Sequence, residues 1–170
     1  GFIGSHLVEK LVANNNNITV IDNLLRGNKI SPKKIKNINF IEGDVRDLDV
    51  LELATKNIDY IFHLAAFLGV DDVAKNPIQT MEVETIGTQN LIKCCIKNSV
   101  SKIIYTSTSG VYGKSAIQDA VNEDYEVAPS SSYAIAKRFN EIYLKSINEK
   151  YKIETFSLRY FNVYGPKQDN

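Results

Sequence analysis

Gly1-Phe2-Ile3-Gly4-Ser5-His6-Leu7, then the run Asn14 to Asn17, then Ile18-Thr19-Val20-Ile21-Asp22, is the stretch that decides the fold. Ile3, Leu7, Leu11 and Val12 recur at helical spacing, which predicts a helix from Gly4 until the asparagines break it. The asparagine run itself reads as a turn. Ile18 to Ile21 is a short apolar run of strand composition, closed by the acid Asp22. Two glycines, a helix, a strand and a terminal acid therefore follow one another within 22 residues.

The alternation continues along the chain. A polar, lysine-rich loop reaches about Asn37. A strand from Ile38 to Ile41 follows, closed by Glu42-Gly43-Asp44, and then a short helix from Asp47 to Thr55. Ile58 to Leu64 reads as a strand ending at Ala65-Ala66, and Pro77 to Asn98 as a long helix. Lys102 to Thr106 is a strand, Tyr133 to about Lys150 a helix, and Ile153 to Tyr160 the last strand. Strands this apolar, separated by helices, predict an α/β fold with a doubly wound parallel sheet covered on both faces.

Composition narrows the function. The 170 residues carry twenty basic and twenty acidic side chains, so no basic field is available to hold a nucleic acid backbone. No apolar run approaches the roughly 20 residues a membrane-spanning helix needs. Cys94 and Cys95 are neighbours on a helix and point apart, which argues against a disulfide and for two buried thiols in a reducing compartment. His6 and His63 lack the companions of a metal site and read as structural residues.

In an open parallel sheet, ligands bind beyond the carboxyl ends of the strands. The chemistry-bearing residues fall there. Gly1 and Gly4 adjoin a helix N-terminus, where free amides and the helix dipole favour phosphate. Asp22 is placed to accept from both hydroxyls of an adenosine ribose and to repel a 2′-phosphate, so NAD is favoured over NADP, with Arg26 nearby arguing the other way. Asp44 can accept from an adenine amino group, and Ala65 and Ala66 let a cofactor approach the backbone.

Thr108 ends the strand before the helix of Tyr133-Ala134-Ile135-Ala136-Lys137. The i, i+4 spacing sets Lys137 beside the Tyr133 ring, where a cation lowers a phenol pKa of about 10 toward neutrality. Chance alone supplies about one Tyr-x-x-x-Lys pair in a chain of this composition, so position gives the pair its meaning.

The segments Gly-Phe-Ile-Gly-Ser-His (1–6), Val-Ile-Asp-Asn-Leu (20–24), Glu-Gly-Asp-Val-Arg-Asp (42–47) and Phe-His-Leu-Ala-Ala (62–66) carry a resemblance, nearly chain-long. So do Gly-Thr-Gln-Asn-Leu (87–91), Thr-Ser-Thr-Ser-Gly-Val-Tyr-Gly (106–113), Tyr-Ala-Ile-Ala-Lys (133–137) and Leu-Arg-Tyr-Phe-Asn-Val-Tyr-Gly-Pro (158–166). Together they resemble the extended short-chain dehydrogenase/reductase family, within it the NAD-dependent nucleotide-sugar epimerases and dehydratases, nearest the UDP-glucose 4-epimerase group.

The resemblance implies a Rossmann-like, NAD-binding domain over 1–170, incomplete at both ends. The opening central strand and the C-terminal substrate domain would be missing, so the fragment itself is expected to fold poorly, hold NAD weakly and be inactive. It also implies roles. Gly1, Phe2, Ile3 and Gly4 would be half of the pyrophosphate loop. Asp22 and Asn23 would hold the ribose, Asp44 and Val45 the adenine, and Leu64, Ala65 and Ala66 would line the cofactor channel. Tyr160 would lie near the nicotinamide, Lys137 would bond its ribose, and Asn162 would reach the phosphates of the nucleotide sugar. Thr108, Tyr133 and Lys137 would be catalytic, with Thr108 and Tyr133 also on the substrate. A cytoplasmic homodimer, free of nucleic acid and membrane, is the accompanying expectation.

Where the family carries Asn, this chain has Glu84; it is left outside the expected site. Ser109-Gly110 follow Thr108, where 4,6-dehydratases carry Asp-Glu and decarboxylases carry Glu in place of Gly110. Lacking those acids, the chain is expected to epimerise C4 of a UDP-sugar through a transient 4-keto compound. Dehydratase, decarboxylase and 4-ketoreductase activities, or a non-catalytic NAD(H) sensor, stay open.

Overall fold

The computed structural model describes residues 1–31, 38–67, 69–117 and 120–168, so the end of the lysine-rich loop, 32–37, lies outside the described residues. Helix α1 (Phe2–Ala13) leads to β1 (Thr19–Asp22), which pairs in parallel with β2 (Asn39–Glu42), Asp22 opposite Glu42. Helix α2 (Leu48–Ala54) starts at Asp47, whose carboxylate accepts from the Asp49 and Val50 amides and satisfies donors the first turn leaves open. Strand β3 (Tyr60–His63) follows.

The long helix expected from Pro77 is present and unbroken to Lys97, with one π turn inside it. Short α3 (Val70–Lys75) precedes α4 (Pro77–Met81), a π turn (Glu82–Ile86) and α5 (Gly87–Lys97). Strand β4 (Lys102–Thr108) runs two residues past its expected end and enters a 3-10 stretch (Ser109–Ile117). Helix α6 (Ser132–Tyr151) is opened by Ser131, whose hydroxyl accepts from the Ala134 amide, and closed by Lys152 in the left-handed region. Strand β5 (Glu154–Tyr160) ends the series.

All described pairings are parallel, but β1-β2 and β3-β4-β5 form two sheets, and β1 and β3 are not bonded to one another. The core lies where α2, α5 and α6 meet β4: Leu51, Ile92, Cys95, Ile103, Tyr105 and Leu144 are buried together. Burying each large aliphatic side chain there contributes about 1.5–3 kcal/mol. Along β4 every second residue, Ile103, Tyr105 and Ser107, turns into that core. Gly87 opens α5 at a close approach: a Cβ there would stand 2.6 Å from Cγ2 of Val45. That contact sets the π turn against the segment following β2.

Candidate active site

Because the strands are parallel, their carboxyl ends share one edge. Thr108 stands opposite Tyr160 in the β4–β5 register, and Asn162 follows two residues on. A cavity of about 1430 Å³ opens at this edge and extends between β1 and β3. Every expected site residue except Lys137 lines it, including Phe2, Ile3, Asn23, Val45, Ala65 and Ala66.

Helix α1 starts at Phe2 with Gly1 as its cap, so Gly4 lies inside the first turn rather than ahead of it. The correction leaves the chemistry in place, since the first amides of a helix have no internal acceptor. A side chain at Gly1 would meet nothing within 4 Å, and one at Gly4 only Leu64 Cδ2 at 3.9 Å, so the cavity reaches the backbone here. One Asp22 oxygen accepts from the Leu24 amide at 2.8 Å.

Asp44 is already engaged. Arg46 donates Nε and Nη2 to its two oxygens at 2.9 and 2.8 Å, and these bonds hold the carboxyl below the usual carboxylate range against the opposing effect of burial.

Lys137 departs from expectation. Its Nζ does lie 5.3 Å from the Tyr133 ring centroid and 4.7 Å from that of Tyr105. But the side chain is 0% exposed and faces inward, where Nζ meets Glu84 Oε2 at 3.0 Å. The separation is that of an ion pair, although neither atom meets hydrogen-bond alignment. Glu84, set aside in the sequence reading, is thus the ammonium's partner, and Lys137 is not among the residues that line the cavity.

Burial and then the Glu84 charge push the Tyr133 phenol above its ordinary pKa, the opposite of the lowering that Lys137 alone would give. Burial likewise pushes the Glu84 carboxyl up, with Lys137 opposing.

A buried polar network supports this arrangement. The Glu84 carbonyl, in the π turn, accepts from Thr88 Oγ1 at 2.6 Å and Asn140 Nδ2 at 2.9 Å. Asn140 also donates to the Tyr105 hydroxyl, and Glu84 Oε1 accepts the Phe67 amide. With its proton committed to Glu84, Thr88 Oγ1 accepts from His63 Nε2 at 2.9 Å. Burial and the Lys137 charge push the His63 pKa down to about 3, so it is a neutral structural residue, as expected. Asn140 escaped the sequence reading, although Lys137, Asn140, Glu141 and Leu144, all buried, mark one helical face. His6 is likewise structural, with Nε2 2.8 Å from the Pro166 carbonyl.

Thr108, Tyr133, Asp22 and the first residues of α1 thus line one cavity at the carboxyl edge of parallel strands. The chain belongs to the NAD dependent epimerase/dehydratase family, whose pattern it matches over residues 1–170. It is 38% identical over 173 residues to a putative UDP-glucose 4-epimerase of Methanocaldococcus jannaschii, with 99% of this chain and 55% of the relative covered. Among solved structures it matches the UDP-N-acetylglucosamine 4-epimerase of Methanobrevibacter ruminantium in complex with UDP-N-acetylmuramic acid. That match has TM-score 0.91 and 38% identity, covering 99% of this chain and 54% of the other. The UDP-glucose 4-epimerase of Thermus thermophilus in complex with NAD matches at TM-score 0.91 and 35% identity, covering 99% and 55%. The fold is accordingly Rossmann-like, and the chain spans about half the length of these relatives.

Proposed function

We propose that the protein carrying this chain is an NAD-dependent nucleotide-sugar 4-epimerase acting on a UDP-sugar. The observation that carries the reading is that Thr108 and Tyr133, from different elements, line the same cavity as the α1 N-terminus and Asp22. The residues fit the cofactor. The amides of Gly1, Phe2, Ile3 and Gly4 would take the pyrophosphate, Asp22 and Asn23 the ribose, and Asp44 and Val45 the adenine side. Leu64, Ala65, Ala66 and Tyr160 would flank the rest, and Asn162 would meet the sugar-nucleotide phosphates. When bound, NAD supplies the acceptor and later the donor of a hydride.

Thr108 would donate its hydroxyl proton to the sugar C4 oxygen and hold it. Tyr133 would take the proton of that hydroxyl as hydride leaves the carbon, and return it when hydride comes back on the other face. Ser109 and Gly110 add no acid that would eliminate water or assist decarboxylation. Incubation of the full-length protein with UDP-glucose should give UDP-galactose with no net NADH. A stable 4-keto product would mean a dehydratase, and no turnover an NAD(H) sensor. Tyr133→Phe should lower turnover by about 10²–10⁴-fold, the usual worth of a positioned acid–base group, while NAD stays bound.

A homodimer is part of the proposal. Ile135, Phe139 and Ile142 form an exposed apolar stripe on α6 beside exposed Ile78 and Ile86. Among the described residues no helix is long and apolar enough to cross a membrane, and the two free buried thiols suit a cytoplasmic location.

A further inference from the structure

We propose that Asp72 is a specificity-determining residue: its carboxylate holds the Arg26 guanidinium and so withholds it from the 2′-phosphate of NADP. The inference rests on the reading of the cavity as a dinucleotide site. Arg26 stands four residues past Asp22, and both line that cavity. The turn between them is fixed by its own bonds. Asp22 accepts from the Leu24 amide at 2.8 Å, Asn23 Oδ1 from the Leu25 amide at 3.2 Å, and the Leu24 carbonyl from the Gly27 amide at 2.8 Å. An arginine carried close to a ribose-binding acid is the group that would take a 2′-phosphate, because its planar fork matches phosphate oxygens. The acid at 22 and the arginine at 26 thus argue for different dinucleotides.

A third residue decides between them. Arg26 Nη2 lies 3.3 Å from Oδ2 of Asp72, which belongs to α3 and is not among the residues that line the cavity. The pair bridges the two segments that follow β1 and β3 at the carboxyl edge. Gly69 makes the room for it: a Cβ there would stand 2.6 Å from Asp72 Oδ2 and 2.9 Å from Arg26 Nη2. Asp72 is held in turn by α3, its carbonyl accepting from the Asn76 amide at 2.9 Å and from Asn76 Nδ2 at 3.0 Å. To reach a 2′-phosphate the guanidinium must leave this carboxylate, and binding of NADP bears that cost. NAD carries a hydroxyl at the same place and leaves the pair intact. The two side chains are 42% and 60% exposed, so the pair is weak and adds modestly to the discrimination that Asp22 exerts.

The test is calorimetric titration of the full-length protein, cleared of bound dinucleotide, with NAD and separately with NADP. The parent is compared with Asp72→Asn, Arg26→Ala and the double variant, and the readout is the NADP dissociation constant divided by that of NAD. Asp72→Asn should lower this ratio by about two- to five-fold, the worth of an exposed ion pair. Adding Arg26→Ala should abolish the gain, because the freed guanidinium produces it. A ratio that Asp72→Asn leaves unmoved overturns the proposal. So does a gain that survives Arg26→Ala, which would mean that Asp72 acts only through its charge. Should Asp72→Asn fail to fold, Arg26→Ala decides alone. A rise in the ratio above about two-fold would mean that the arginine already serves the phosphate, and overturns the proposal; a smaller change supports it. If the parent binds neither dinucleotide, the reading of the cavity fails and this inference with it. If the parent binds NAD and Asp72→Asn does not move the ratio, this inference alone fails.

Discussion

Glu141→Ala should destabilise the domain more than a surface substitution on the same helix. The side chain is only 5% exposed, and it accepts from Ser107 Oγ at 2.6 Å, Arg159 Nε at 2.9 Å, Arg159 Nη2 at 3.0 Å and Arg138 Nη1 at 2.8 Å. One carboxylate thus ties α6 to the residue before Thr108 on β4 and the residue before Tyr160 on β5. Alanine removes the acceptor and leaves the Arg159 guanidinium without its carboxylate partner, although it still donates to the Tyr112 hydroxyl and the Glu123 carbonyl. Breaking a buried pair from one side costs about 3–5 kcal/mol. For a domain of this size, at about 2–4 °C per kcal/mol, Tm falls by about 6–20 °C. Scanning calorimetry on the full-length protein and the variant at neutral pH reads the difference.

The pH dependence sharpens the test. Burial works to raise the Glu141 pKa, but the bonds from Arg159, Ser107 and Arg138 outweigh it and hold the carboxyl below its ordinary 4.5. A lowered folded pKa means stability that is complete above the ordinary value and lost as pH falls through the folded one. The gap between parent and variant should therefore narrow below about pH 4 as the parent's carboxylate is protonated. A fall in Tm of less than about 2 °C at neutral pH, or a gap that widens in acid, refutes the assignment of the four bonds to one carboxylate.

Two further perturbations probe the edge of the site. Gly87→Ala places a Cβ 2.6 Å from Val45 Cγ2, and the forced shift should cost about 1–3 kcal/mol in urea unfolding. An unchanged midpoint would mean that the helix and the Val45 segment yield freely. Asp22→Ala should weaken NAD binding by about 10- to 100-fold in isothermal titration, the worth of charge-assisted hydrogen bonds to a ribose. Undiminished affinity would remove Asp22 from the cofactor site.

The order of elements was legible because helical and strand spacing are local properties, and Leu7, Leu11, Ile18 and Val20 announce them without neighbours. Boundaries slipped where a tertiary contact decides them. Thr108 extends β4 because its partner Tyr160 lies alongside it. The site's edge was equally legible, since parallel strands carry their terminal residues to one side whatever the loops do. Arg46 was not: nothing in Asp44-Val45-Arg46 says that the guanidinium turns back onto the carboxylate instead of outward to water.

Glu84 shows why charge is the hardest property to place from a sequence. An isolated carboxylate is too costly to bury, so an acid on a helix is read as facing water unless a partner is known. The partner here lies 53 positions on, and it is Lys137, already set beside the Tyr133 ring by its spacing. Each residue alone reads one way and the pair reads another. The ammonium cannot be fully matched by a buried anion and also act on the phenol as a lone charge. Only the 3.0 Å separation reveals that the first condition holds in this chain.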